Sequence, residues 1–471
     1  MIFWAPSVAA VYISAAFLLW SRCRTLQTQG ARPTPGAEWL ELAADALERG
    51  VAAQAPAAAR LLEALEYPSL LASGAKSDRA IEASLLRLAS RFEAFFQLDA
   101  PCAPGLAFFG GLLSPALAGP IHASAENVSV TGRGMTLKAA FEGCVGEAVE
   151  YISQLERDDD PLSLLEDNLE LGRLDANSRR ELAQWLEASA KTGRPVQWLP
   201  ATRLSGGQAV NLPADFCLRR PAARRALEPP FLLGSGVAAG ATLEAATLHA
   251  VLELVERDAL GLWWRGGKRG FAVDAKASQF DLTIGALRRG RRDRETWLLD
   301  VTTDLGAPCI VAISCTPEGT EFAFGAAARM TMAEAARAAV LEACQLELAY
   351  DLVRRKLRER GEEALNSADR RHLARAKAIN AKTCELVQPI AETCDAPHAP
   401  RTLGELVARA CRLGIEFYRV DLTRPPERIP AVRVLAPALQ PEPSQICGDR
   451  LRAAIEQTGG GDAHTGGAQL L

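Results

Sequence analysis

One pattern recurs three times along this chain and constrains what it can fold into. Each copy has a threonine (Thr136, Thr242, Thr331) and places a carboxylate eleven residues later (Glu147, Glu253, Glu342). Three residues further on comes a second acid or amide: Glu150, Glu256 and Gln345. That spacing puts both groups on one helix face, and threonine is an acceptable helix N-cap. Three such faces, each behind a glycine-bearing loop, suggest one site that gathers carboxylates from several helices. Sites of that kind hold cations.

The second copy reads most clearly. Gly234, Gly236 and Gly240 precede a run over 242–264 that is apolar almost all round, the pattern of a buried helix. His249, Glu253, Glu256 and Arg257 share one narrow arc of it. A solvated face is the ordinary meaning of a Glu-x-x-Glu spacing, but the apolar surroundings oppose it here. Two carboxylates one turn apart repel by on the order of 4 kcal/mol at 4 Å in an intermediate dielectric. Arg257 offsets one charge, and the rest calls for protons or a metal ion. His249 reads as a packed helix residue rather than a chemical group.

In the first copy Gly143, Glu147, Glu150 and Tyr151 share the arc. Gly143 and Gly146 are poor helix formers, so they point to close approach by a backbone or ligand, with loose packing as the alternative. Arg133, between Gly132 and Gly134, stands where a phosphate could be met. The third copy carries Glu342 and Gln345 on one side. Glu347 and Asp351 form an i,i+4 pair that reads as solvated, and a basic run ends the helix.

These residues carry a family resemblance. The run Gly236-Val-Ala-Ala-Gly240 with Thr242, Glu253, Glu256, Arg257, Asp258 and Ala259 resembles the signature of the YcaO family. The first copy, the segment 298–314, the third helix and the segment 420–439 resemble the rest of that domain in order, over roughly residues 125–445. The resemblance implies an ATP-using enzyme that activates a peptide-bond oxygen with Mg2+. The most direct implication is cyclodehydration of Cys, Ser or Thr to thiazoline or oxazoline in a ribosomally made, bacteriocin-type precursor peptide. It assigns Glu147, Glu150, Glu253 and Glu256 to the metal, and those four with Arg133, Arg257, Glu342 and Gln345 to the nucleotide. It names no catalytic residue. Its implied partners are the precursor peptide, a leader-peptide-binding protein and a flavin-dependent dehydrogenase, and it admits a homodimer. Gly143, Tyr151, Ser235 and Ala245 depart from the family pattern. They keep two other readings open: thioamide or amidine formation on the same activated oxygen, and a non-catalytic scaffold that binds a peptide or partner.

Composition sets outer bounds. A 48% apolar content over 471 residues supplies a large core, and a net charge of −4 gives no bulk case for nucleic acid. Eleven scattered cysteines without a Cys-x-x-Cys pair fit reduced thiols in the cytoplasm. Residues 2–20 carry no charge and are followed by Arg22 and Arg24. They read as a membrane anchor holding the catalytic part in the cytoplasm, as a buried helix, or as an overlong start. The expected class is α+β, with sheets covered by the three acidic helices. The expected divisions are an apolar segment 1–24, a helical region 25–124, a catalytic domain 125–445 and a flexible Gly-rich tail 446–471.

Overall fold

The computed structural model describes residues 35–67, 76–391 and 398–470. It opens with helices α1 (Pro35–Arg49), α2 (Pro56–Ala64) and α3 (Lys76–Ser90). Strands β1 (Ala94–Gln97), β2 (Ala107–Leu113) and β3 (Val128–Gly134) then form an antiparallel sheet in sequence order. The first acidic helix, α4 (Leu137–Gln154), follows directly.

Next come α5 (Ala176–Ala188) and the hairpin β4 (Gln197–Arg203) with β5 (Ala209–Pro213), then β6 (Val237–Ala239) and the second acidic helix, α6 (Leu243–Trp264). Strands β7 (Phe271–Ala272), β8 (Glu295–Asp300), β9 (Cys309–Cys315) and β10 (Ala323–Ala328) build a second antiparallel sheet and lead into the third acidic helix, α7 (Met332–Arg360). After α8 (Ser367–Ala378) and α9 (Leu403–Arg412), β11 (Tyr418–Asp421) and β12 (Ala431–Leu435) join β4 and β6 in the third sheet, ordered β4-β11-β12-β6. Helix α10 (Asp449–Thr458) comes last among the longer elements.

The α+β expectation holds, and β9 shows how the layers pack. Val311 and Ile313 point to the α6 side, whereas Ile310 and Ala312 point to the α7 side. A strand covered on both faces reads as a continuous apolar run rather than an alternating one. Asp304-Leu-Gly306 turns the chain between β8 and β9.

Three expectations need correction. The boundary at 124/125 cuts through the first sheet, because β1 and β2 pair with β3 across it. One core unites Leu47 and Leu86 with Phe95, Phe109 and Phe141, so the N-terminal region packs as part of the same body. The segment 446–470 is ordered: Leu451, Ala454 and Leu470 are buried, and Arg450 grips the fully buried Asp258 at 2.8 Å. Its glycines terminate short helices rather than loosening the chain. Glu347 is buried, held by both terminal nitrogens of Arg288 at 2.6 and 2.7 Å, rather than solvated.

Among the described residues no helix is long and apolar enough to cross a membrane. The segment 1–24 lies outside the described residues. All nine described cysteines are free thiols.

Candidate active site: a ring of carboxylates on three sheet edges

Each acidic helix begins on its threonine. The Thr136, Thr242 and Thr331 hydroxyls accept from the backbone N–H groups of Ala139, Ala245 and Glu334 at 3.1–3.3 Å, which caps the first turn. Each helix also follows the edge strand of a different sheet: β3, β6 and β10. An edge strand carries backbone N–H groups with no strand to pair with. The helix carboxylates accept them.

The bonding is cyclic. The first carboxylate of each helix returns to its own entry strand: Glu147 accepts from Thr131 N (2.7 Å), Glu253 from Gly236 N (3.0 Å) and Glu342 from Ala326 N (3.3 Å). The second group reaches the strand of the next unit. Glu150 accepts from Ala239 N at 3.0 Å, and Glu256 from Ala328 N at 3.4 Å. Gln345 closes the circle by donating to the Thr131 hydroxyl at 3.2 Å. The threefold echo in the sequence is therefore a threefold arrangement in space.

Glycines let helix and strand approach this closely. A Cβ on Gly132 would sit 2.0 Å from the Ala140 carbonyl oxygen, and one on Gly325 would sit 2.2 Å from that of Ala339. The Gly-Arg-Gly of 132–134 is thus a strand packed on α4 rather than a phosphate loop. Arg133, on the alternate face of β3, donates to Gln345 Oε1 at 2.6 Å and pairs with Glu342 at 3.3 Å. Around Gly146 there is open space, whereas Gly143 lies within ordinary contact distance of Gly132.

All eight residues singled out in the sequence lie on this ring. Arg257 spans Glu253 and Glu256 at 3.5 and 3.4 Å and, among the described residues, pairs with no other carboxylate at that range. Negative charge is in excess. Burial pushes Glu150 up to about 8, with Glu253 and Glu147 adding repulsion against the help of the Ala239 N–H. Burial likewise pushes Glu256 up to about 7, with Arg257 opposing and Glu342 and Glu253 reinforcing. Glu253 and Glu147 also move up through burial. Glu147 is nonetheless open to water although protein surrounds it, so its own shift is the most heavily screened, whereas the Glu256 side chain is only 8% exposed. His249 is exposed on the same rim, near the Ala239 carbonyl, rather than packed.

Among the described residues no three His, Cys, Asp or Glu side chains close a metal cage by themselves. The carboxylates feel one another's charge across the seams, Glu150 that of Glu253 and Glu256 that of Glu342. That donor set suits Mg2+, which takes one or two carboxylates and completes its shell with water and phosphate oxygens.

Residues 131–440, more than half of the chain, match the family of ATP- and Mg2+-binding YcaO cyclodehydratases. The chain belongs to the YcaO family. Solved folds agree. A heterocyclase in complex with substrate and cofactor superposes with a TM-score of 0.62 at 22% identity, over 82% of this chain and 55% of that one. The YcaO protein of Methanopyrus kandleri bound with AMPPCP and Mg2+ gives 0.52 at 19%, over 77% and 91%. At these identities the likeness is one of fold. Two relatives match by sequence. A protein of Methanothermobacter thermautotrophicus is 25% identical over 200 residues, 41% of this chain and 50% of its own length. A protein in the tfuA 3′ region of Rhizobium leguminosarum bv. trifolii is 29% identical over 195 residues, 39% and 44%. This YcaO chain thus spans half or less of the curated relatives it matches.

Sequence reading missed the edge-strand N–H groups, which no residue type announces. It also missed Arg219 and Arg433. The second left a signal, a charge in the middle of the apolar β12, whereas the first left none.

Proposed function

We propose that this protein is an ATP-dependent enzyme that activates a backbone amide oxygen of a ribosomally made peptide, with cyclodehydration of Cys, Ser or Thr to an azoline as its reaction. The observation that carries the reading is the charge excess of the ring: five carboxylates on three helices, two ring arginines, and two glutamates driven up by burial and mutual repulsion. A site like that is completed by cations, and cations in turn attract a polyphosphate.

Bound Mg2+ and ATP would supply a phosphoryl group that turns a poor leaving group, the amide oxygen, into a good one. The chain's own residues have separable tasks. Glu150 with Glu253, and Glu256 with Glu342, would hold metal through the oxygens left over from their backbone bonds. Arg257 keeps Glu253 and Glu256 apart from one another's full charge and stays firmly protonated between them. Arg133, braced by Gln345 and Glu342, presents a guanidinium to the same cleft and suits a phosphate oxygen. The precursor peptide and a leader-peptide-binding protein are the partners this reading calls for.

The test is Mg2+-dependent phosphate release by the purified protein with candidate precursor peptide and leader-binding protein, followed by mass spectrometry of the peptide. Peptide-stimulated release with a loss of about 18 Da per ring supports cyclodehydration. Release with a different mass change moves the reaction to another displacement of the same oxygen. Absence of both nucleotide binding and release would overturn the enzyme reading.

A further inference from the structure

Two arginines beside the ring have no place in the account so far. Arg433 lies in the middle of β12, 1% exposed, with its Nη1 donating to the Leu233 carbonyl at 2.9 Å and its buried Nε meeting no acceptor. Arg219 donates through Nε to Gln154 Oε1 at 2.8 Å, and its guanidinium lies over the Tyr151 ring, 5.0 Å from the centroid. Gln154 Nε2 in turn donates to the same Leu233 carbonyl at 2.5 Å. One chain of hydrogen bonds therefore runs from Arg219 through Gln154 and Leu233 to Arg433.

Among the described residues neither guanidinium pairs with a carboxylate within salt-bridge distance. That is unusual, since buried arginines are normally paired. Burial pulls Arg433 down to about 10; Cys217 and the ring carboxylate Glu253 oppose the shift, and Arg219 adds to it. Each guanidinium keeps only a neutral hydrogen bond and an aromatic face, Arg433 lying 5.9 Å from the centroid of the Phe231 ring, and donors left over in that way are those an anion can satisfy.

Their place relative to the ring is defined. Tyr151 and Gln154 lie on α4 one turn beyond Glu147 and Glu150. Gly236, three residues after Leu233, is the residue that donates to Glu253. The loop 233–236 thus touches the arginines at one end and the ring at the other. Gly234, exposed and lacking a side chain, lies beside the Arg219 Nη2 and leaves it open.

The internal repeat adds an independent argument. In the second unit the residue after the second acid or amide is Arg257, which belongs to the ring; in the first and third units that position is Tyr151 and Leu346. Beside Tyr151 a positive charge nevertheless comes from another segment, the Arg219 guanidinium lying over its ring.

We infer that Arg219 and Arg433 form an anion site at the α4–β12 edge of the ring, fitted to a phosphoryl group, in which Arg219 serves the first unit as Arg257 serves the second. The inference rests on the ATP reading for which phosphate it grips, but not for whether it grips one. A phosphate between a carboxylate-held cation and two guanidiniums would balance both local excesses of charge.

The test uses the full chain and two probes, inorganic phosphate and ATP, each titrated in Mg2+ against unaltered protein, Arg219→Gln and Arg219→Lys, with thermal melting as the check on folding. Arg219→Gln is expected to weaken both probes roughly tenfold or more, with Arg219→Lys falling between it and the unaltered protein. A folded Arg219→Gln protein with unchanged affinity for both would overturn the arginine site while leaving the ATP reading standing. Phosphate binding without ATP binding in the unaltered protein would do the reverse. If Arg219→Gln does not fold, Arg219→Lys decides: a threefold or greater loss of phosphate affinity supports the site, and no change overturns it.

Discussion

Glu342 and Glu347 are five residues apart on one helix, yet they live in opposite electrostatic worlds. Glu347 sits in the core with the paired nitrogens of Arg288 on its two oxygens and the Ser314 hydroxyl beside it. Its charge is answered by the protein. Glu342 is half-buried on the ring, shares Arg133 with Gln345, and belongs to a cluster whose carboxylates outnumber its arginines. Its charge is left for something else to answer. The lesson is that burial alone does not distinguish structural from functional acids; completeness of pairing does.

The comparison can be broken most decisively at Glu256. Glu256→Gln is expected to lower ATP turnover by on the order of a hundredfold or more while leaving the fold intact, because the isosteric amide removes a charge that the fold does not need. Phosphate release alongside a thermal melt reads both effects. Normal turnover in the folded variant would refute the ring as the site.

The core pair should respond the opposite way. Arg288→Met leaves the buried Glu347 with only the more distant Arg294 at 3.6 Å and the Ser314 hydroxyl, at an expected cost of about 3 kcal/mol in unfolding free energy. Denaturant unfolding measures it. Retained Mg2+-ATP affinity at low temperature would mark the pair as structural; a selective loss of affinity without loss of stability would blur the distinction.

Protons provide a subtler probe. Glu256 has its folded pKa raised from 4.5 to about 7. Over that window the folded state binds more protons than the unfolded one, so this group's contribution to stability declines as pH rises from about 4.5 through about 7 and levels off above it. The thermal midpoint of unaltered protein relative to Glu256→Gln should therefore fall with rising pH in the absence of Mg2+. A flat difference would mean that water entering the cleft screens the charge fully. The smallest expected effect is at the one seam closed by an amide. Gln345→Glu replaces a donor to Thr131 by a further charge that Arg133 partly offsets, and should change nucleotide affinity by about fivefold at most, measured by titration.

How much of this was legible in the sequence depends on range. Helix faces are local, so the periodicity placed Glu147, Glu150, Glu253, Glu256, Glu342 and Gln345 together before any fold was known. Strand order and seam contacts are non-local: nothing near Glu150 says that its acceptor bond comes from Ala239. Composition misled where context decided. Glycines in 446–470 suggested looseness, yet Arg450 locks that segment onto Asp258. Glu347 and Asp351 looked like a solvated pair because their spacing is that of a surface, while the partner that buries Glu347 lies 59 residues away.

The circular bonding has a further consequence. Three separate subunits of such a unit would be bound to carry identical side chains at every seam, whatever the cargo required. Joined in a single polypeptide, the copies are free to diverge. One carries Gln345 where the other two have an acid, and one carries Arg257 where the others have Tyr151 and Leu346. A closed figure with three equivalent corners has thereby acquired a front and a back, which an asymmetric molecule needs in order to enter in only one orientation.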